Sequence, residues 1–158
     1  MNQHQPHRNP WLVLCGFVGL VAIVALVSRL AATSARTVYT GLDLPSWAPP
    51  GWVFGPVWTV LYLTIAVAGW LYWRTDGETR GFAAYGIALL FTMLWTPLFF
   101  AGGSARLALV DIVLLDIVVI VTIALFGKRS RLAGALLLPW LGWLWFVTAL
   151  NATVVTLN

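Results

Sequence analysis

Five stretches of this chain are long enough to cross a lipid bilayer and carry almost no charge. They run from Trp11 to Leu30, Trp52 to Trp73, Gly81 to Ala105, Leu107 to Phe126 and Leu132 to Asn158. Only Arg29, Asp111 and Asp116 interrupt them. A helix needs roughly 20 apolar residues to span the hydrocarbon core. The runs are apolar all round and do not alternate with polar residues. They therefore read as membrane helices, not as the strands of a barrel. The composition agrees: of 158 residues, 61% are apolar and 9% charged. A soluble domain is about half apolar and about a quarter charged, so a soluble globule and a disordered chain are both excluded. The expected fold is an all-α integral membrane protein. It is a single five-transmembrane-helix bundle over residues 1–158, with helices at about 11–30, 52–73, 81–101, 107–126 and 132–156. The connectors are short except for 31–51, so neighbouring helices are expected to pack antiparallel.

The first run has a second reading. Arg8 precedes it and the small residues of Ala31 to Ala35 follow it, as in a signal peptide. The run exceeds the usual apolar stretch of ~7–15 residues. Cleavage would leave four spans.

The net charge of +4 comes from nine scattered basic residues. It is loop decoration, and no nucleic-acid partner is expected. Arg8, Arg74, Arg80, Lys128, Arg129 and Arg131 flank one side of the membrane, and Arg29, Arg36 and Arg106 the other. The positive-inside rule then puts the N-terminus in the cytoplasm and the C-terminus outside. The single cysteine, Cys15, lies in an apolar run and reads as a small packing residue.

Ten tryptophans are a marked excess. Trp11, Trp70 and Trp73 stand at run ends, where an aromatic belt meets the headgroups. Others are arranged differently. Residues three or four apart share a helix face. On that spacing Trp58 lies with Tyr62, and Thr92 with Trp95 and Phe99. Trp140, Trp143, Val147 and Asn151 form a third stripe. Convergence of these stripes would line a pocket for a flat apolar ligand, with few polar groups in an apolar wall. Plain helix packing would produce the same spacing. The segment 31–51 ends in Tyr39-Thr-Gly-Leu-Asp-Leu-Pro-Ser-Trp-Ala-Pro-Pro-Gly. Its prolines and glycines predict a rigid, non-helical loop. Its apolar Leu42, Leu44 and Trp47 suggest a lid folded onto the bundle.

These motifs carry a resemblance. Pro45-Ser-Trp47-Ala-Pro49-Pro50, followed by Phe54-Gly-Pro-Val57-Trp58-Thr-Val-Leu-Tyr62, is similar to the signature of the TspO family. These are the tryptophan-rich sensory proteins, known in mitochondria as translocator protein or peripheral benzodiazepine receptor. Leu94-Trp95-Thr96-Pro97-Leu98-Phe99-Phe100, Ala108-Leu109-Val110-Asp111, Pro139-Trp140-Leu141-Gly142-Trp143 and Ala149-Leu150-Asn151 follow in the family's order. The resemblance implies that the first helix is retained, and that five helices form a bundle, usually dimeric. It implies binding of porphyrins, with protoporphyrin IX as the expected ligand, and of isoquinoline and benzodiazepine drugs. It also implies a role as sensor, scavenger or carrier. By motif position the pocket residues are Tyr39, Trp47, Trp58, Trp95, Trp143 and Val147. Light-dependent porphyrin breakdown is an activity reported for some members. The chain departs from the family at Thr92 (frequently Asn), Trp140 (frequently Tyr) and Leu44 (Lys). Ala152 and Thr156 stand where a cholesterol motif needs a tyrosine and a basic residue, so sterol recognition through that motif is not expected.

No catalytic set stands out. His4 and His7 are confined to the N-terminal tail, and no metal-ligand cluster or phosphate loop is visible. Haem iron needs an axial His, Cys, Met or Tyr, and the helices offer few. A metal-free porphyrin is easier to hold, and no cofactor is required. Asp111 and Asp116 are costly inside a membrane. Asp111 lies close enough to Arg106 to pair with it. For Asp116 three readings stand: a protonated group, a hydroxyl partner such as Thr122 or Thr148, or a polar cavity. Small residues suit helix dimers, and Ala84 with Ala88, or Gly16 with Gly19, are the candidates. Membrane lipid is the expected surrounding, most simply a bacterial cytoplasmic membrane, with the mitochondrial outer membrane as the alternative. A rival function is a small-solute exporter, for which Asp116 is the sole proton-coupling residue on offer.

Overall fold

The computed structural model describes residues 9–158, so Arg8, His4 and His7 lie outside the described residues. Helix α1 (Pro10–Ala31) starts at a cap in which Asn9 accepts from the Trp11 amide, with Pro10 in its first turn. Proline fits there because that position needs no amide donor. A short helix α2 (Ala35–Gly41) follows. A 3-10 turn at Gly51–Val53 then leads into α3 (Phe54–Arg74). Helix α4 (Thr79–Thr96) widens at its end into a π-turn, Pro97–Ala101. Helix α5 (Ala105–Arg129) is capped by Ser104, and Gly103 takes the left-handed backbone, φ +61°, that the turn before it requires. Helices α6 (Arg131–Ala135) and α7 (Leu138–Leu157) complete the chain.

Five stretches are long and apolar enough to cross a membrane: Pro10–Ala31, Gly51–Arg74, Thr79–Ala101, Ala105–Arg129 and Arg131–Leu157. No strand occurs among the described residues. The protein is an all-α membrane protein, as the sequence implied.

Two elements differ from expectation. The segment 31–51, expected to be irregular, contains α2. The last span is not one continuous helix. Pro139 has no amide proton and its ring crowds the carbonyl four residues back. The chain accordingly breaks at Leu136–Leu137 between α6 and α7.

The helices close a ring. Helix α1 packs on α3 and α4, α4 on α5, α5 on α6 and α7, and α6 and α7 on α3. The core is apolar and aromatic. Ile65, Ala88, Leu115, Val119, Phe126 and Leu144 are fully buried. Tyr72 stacks on Phe126 with ring centroids 4.0 Å apart. Its hydroxyl accepts from the Glu78 amide at 2.9 Å. Gly81 permits this, since a Cβ there would lie 2.3 Å from the Tyr72 hydroxyl. Helices α5 and α6 meet at Gly134, where a Cβ would approach the Gly127 backbone to 3.0 Å. Outward residues such as Leu20, Ile23, Val60, Leu63, Leu90 and Ile117 are exposed and apolar, as lipid contact demands.

Ala84 and Ala88 are buried within the chain. They mediate contact inside the bundle and are not free to form a dimer face, which corrects the expectation for that pair. The interfacial tryptophans fit the belt reading at the other end. Trp11 stacks on Trp70 at 6.1 Å, and the Trp70 indole donates to the Pro10 carbonyl at 2.9 Å.

Candidate functional site

One end of the ring gathers the start of α3 and α5 and the end of α4 and α7. The segment 42–50 lies over this end, and four hydrogen bonds tie it and its flank down. Ser34 donates to the Phe100 carbonyl at 3.2 Å, and Tyr39 to the Pro49 carbonyl at 2.8 Å. The Asn158 amide grips Asp43 twice, accepting from its N–H at 3.0 Å and donating to its carbonyl at 3.1 Å. Trp47 rests edge-on against Phe146, with centroids 5.8 Å apart. Burial pushes the Tyr39 hydroxyl above the usual phenol range, so it stays a neutral donor to Pro49.

Beneath the lid are two adjoining cavities. The outer one, of about 10 Å³, is lined by Tyr39, Phe54, Trp95, Phe99, Phe100, Val147, Leu150 and Asn151. The inner one, also of about 10 Å³, is lined by Trp58, Thr92, Trp95, Ile112, Leu115, Leu144 and Val147. Trp95 and Val147 belong to both and form the wall between them. The π-turn after α4 brings Phe99 and Phe100 to this site. Pro97 cannot donate to the Met93 carbonyl, so the helix loosens by one residue there. Trp95 stacks on Phe99 at 5.2 Å and meets Phe100 edge-on at 5.9 Å.

The polar groups of the site are satisfied internally. The Trp95 indole donates to Asn151 Oδ1 at 3.2 Å, and Asn151 Nδ2 donates to the Ala105 carbonyl at 2.8 Å. Thr92 donates to the Ala88 carbonyl at 2.8 Å. The result is a largely apolar, partly aromatic wall with few polar atoms.

Seven of the residues singled out from the sequence line these cavities: Tyr39, Trp58, Thr92, Trp95, Phe99, Val147 and Asn151. Four do not. Tyr62 packs on Trp58 at 5.3 Å and supports it from behind. Trp143 lies between Phe54, at 5.6 Å, and Phe146, at 5.2 Å, and touches the site through Phe54. Trp47 belongs to the lid and is half exposed. Trp140 is fully buried in the core and its indole N–H has no partner. The Trp143 indole N–H is likewise buried and unpaired. Sequence reasoning missed Ile112, Leu115 and Leu144 as lining residues. Their helical spacing, i and i+3 on α5 and one turn before Val147 on α7, was legible, but aliphatic residues in a membrane helix carry no signal that separates lining from packing.

Of the two intramembrane carboxyls, Asp111 departs from expectation and Asp116 takes one of its expected partners. Asp111 is buried, its Oδ2 has no partner, and it forms no ion pair with Arg106. Helix α5 turns Asp111 into the bundle while Arg106, in the first turn, is exposed. The ion pair found among the described residues joins Arg129 to Glu78 at the opposite end of the ring. Asp116 accepts from the Thr148 hydroxyl at 2.9 Å, whereas Thr122 donates to its own helix at Val118.

The chain is similar over most of its length to proteins of known family. The tryptophan-rich protein TspO of Archaeoglobus fulgidus is 37% identical over 148 residues, covering 92% of this chain and 96% of that one. The translocator protein of Homo sapiens is 34% identical over 151 residues, covering 92% and 89%. Protein CrtK of Rhodobacter capsulatus is 33% identical over 147 residues, covering 89% and 91%. The TspO/MBR family pattern itself matches residues 14–157, which takes in all five spans, the lid and both cavities, so this integral membrane protein belongs to the TspO/MBR family.

Proposed function

We propose that the protein binds porphyrins and similar flat tetrapyrroles inside the bundle, as a sensor, scavenger or carrier, with protoporphyrin IX as the ligand to test. The observation that carries this reading is the pair of adjoining aromatic cavities, joined at Trp95 and Val147 and covered by the segment that holds Trp47. Offset and edge-on aromatic contacts contribute about 0.5–1.5 kcal/mol each beyond simple burial. Trp58, Trp95 and Phe99 offer three such faces to a planar ring system, and Trp143 stands one ring behind. Pockets for ligands of this size occupy about 300–1,000 Å³, far more than the two cavities of about 10 Å³ each. Binding therefore moves the Trp95–Val147 wall and lifts the lid, merging the two spaces.

The test is a tryptophan-fluorescence titration in the dark, with protoporphyrin and detergent-held protein. Saturable quenching is expected, with affinity at least tenfold weaker in the Trp58→Leu, Trp143→Leu double variant. Equal quenching in a folded double variant overturns the pocket assignment.

The same proposal carries a bacterial cytoplasmic membrane as the location and a homodimer as the assembly, measurable by light scattering in detergent. A second reading, light-driven oxidation of the bound porphyrin, is favoured by the position of Trp58 and Trp95 on the cavity wall, where an oxidisable indole would touch the excited pigment. Illuminated turnover no faster than free pigment in micelles rejects it.

A further inference from the structure

Asp116 stands near the middle of α5, roughly 17 Å along the helix at 1.5 Å per residue. It is on the seam with α7, next to Leu115 of the inner cavity wall but lining neither cavity. It is more than nine-tenths buried. Thr148 of α7 donates to Oδ2 at 2.9 Å, and Oδ1 has no partner. Every described lysine and arginine lies in a first or last helical turn or in a connector, so no cation of the chain reaches this carboxyl. A carboxyl at this depth costs about 2.5–3.5 kcal/mol on insertion scales and marks a site with a partner to be named.

The surroundings name one. The carboxyl is one side chain below the lipid-facing surface. Thr148 is itself partly exposed, and Val113, Ile117 and Ile120 beside Asp116 face outward. Three residues before Thr148, on the same face of α7, stands Trp145, 57% exposed. Interfacial tryptophans sit at helix ends, but Trp145 is deep within α7. Its ring meets no other aromatic ring among the described residues, and the small Gly142 and Ala149 flank it. An acceptor oxygen without a donor, covered just beneath the surface by the partly exposed Thr148, and a bare indole face open to lipid one turn away together suit a cation on an apolar body.

We propose that this edge of the α5–α7 seam is a second ligand site, one that takes apolar amines from the bilayer. The ammonium group donates to Asp116 Oδ1, Thr148 holds the other oxygen in place, and the apolar body lies on Trp145. The site shares no lining residue with the two cavities.

The experiment uses the full chain in lipid nanodiscs with 1-pyrenemethylamine, followed by energy transfer from tryptophan to pyrene, and with 1-pyrenemethanol as the neutral comparison. Expected is saturable transfer for the amine, at least tenfold tighter than for the alcohol. Asp116→Asn should abolish that difference, and Thr148→Val and Trp145→Leu should each weaken amine binding several-fold. Excess protoporphyrin should leave the amine's affinity unchanged. Equal affinity for amine and alcohol in the wild type overturns the proposal even if Asp116→Asn fails to fold. So does unchanged amine affinity in a folded Asp116→Asn. Absence of amine binding in the wild type, with loss of a dimer in Asp116→Asn, would mean that a second copy covers the carboxyl, and also overturns it.

Discussion

Trp95 uses its single donor on Asn151, and that bond fixes the ring that divides the two cavities. A buried indole N–H stripped of its acceptor costs about 1–3 kcal/mol. Asn151→Leu is therefore expected to lower thermal stability in detergent by that amount and to loosen the Trp95 ring. An unchanged melting temperature would show that the bond contributes nothing net. At the far end of the ring Glu78 has the opposite character. The hydrogen bond and charge of Arg129 hold its carboxyl below the usual range of about 4.5. A carboxylate lowered in the folded state adds stability above its unfolded value and loses it as pH falls through the folded one. Both partners are about half exposed, so the effect is small. Glu78→Gln is expected to flatten the loss of stability below pH 4.5 and to leave the neutral-pH melting temperature nearly unchanged. A variant that melts much lower at pH 7 would assign the side chain a larger structural part.

Among the elements, the lid is held by few bonds and covers one end of the ring. The double grip of Asn158 on Asp43 ties the last turn of α7 to the lid without touching either cavity. Asn158→Ala should then speed both association and dissociation of protoporphyrin several-fold in stopped-flow quenching, with little change in Kd. A change in Kd alone would place Asn158 in ligand contact instead. The spans themselves were legible in the sequence because charge is nearly absent from five runs of the right length. Helix α2 was not legible. Seven residues are too few for a 3.6-residue period to stand out, and Thr37, Val38 and Thr40 favour strands over helices. The break before α7 was written in Pro139, but a proline near a run's start reads equally well as a first-turn residue. The π-turn after Thr96 follows from Pro97 for the same reason, and it brings in Phe100, which no stripe on α4 had indicated. Trp140 illustrates the limit of periodicity. It shares a face with Trp143 and Val147, yet it lies a turn deeper, beyond the cavity floor.

At the scale of the molecule, the ring has a basic end and a lid end. Arg74, Arg80, Lys128, Arg129 and Arg131 gather at the end opposite the lid. That distribution is expected to hold the lid on the external face of the membrane. Alkaline phosphatase fused after Asn158 should be active and a cytoplasmic fluorescent reporter there dark, and the reverse result would invert the topology. The internal pairing of every cavity hydrogen bond has a thermodynamic consequence. With Thr92, Trp95 and Asn151 each already bonded within the chain, a small apolar cavity gives a water few partners and it gains little by entering. A ligand arriving there releases no ordered solvent, so the entropic gain usual for apolar association is missing. Attachment is then driven by heat released as rings meet rings, as in dry preformed apolar pockets.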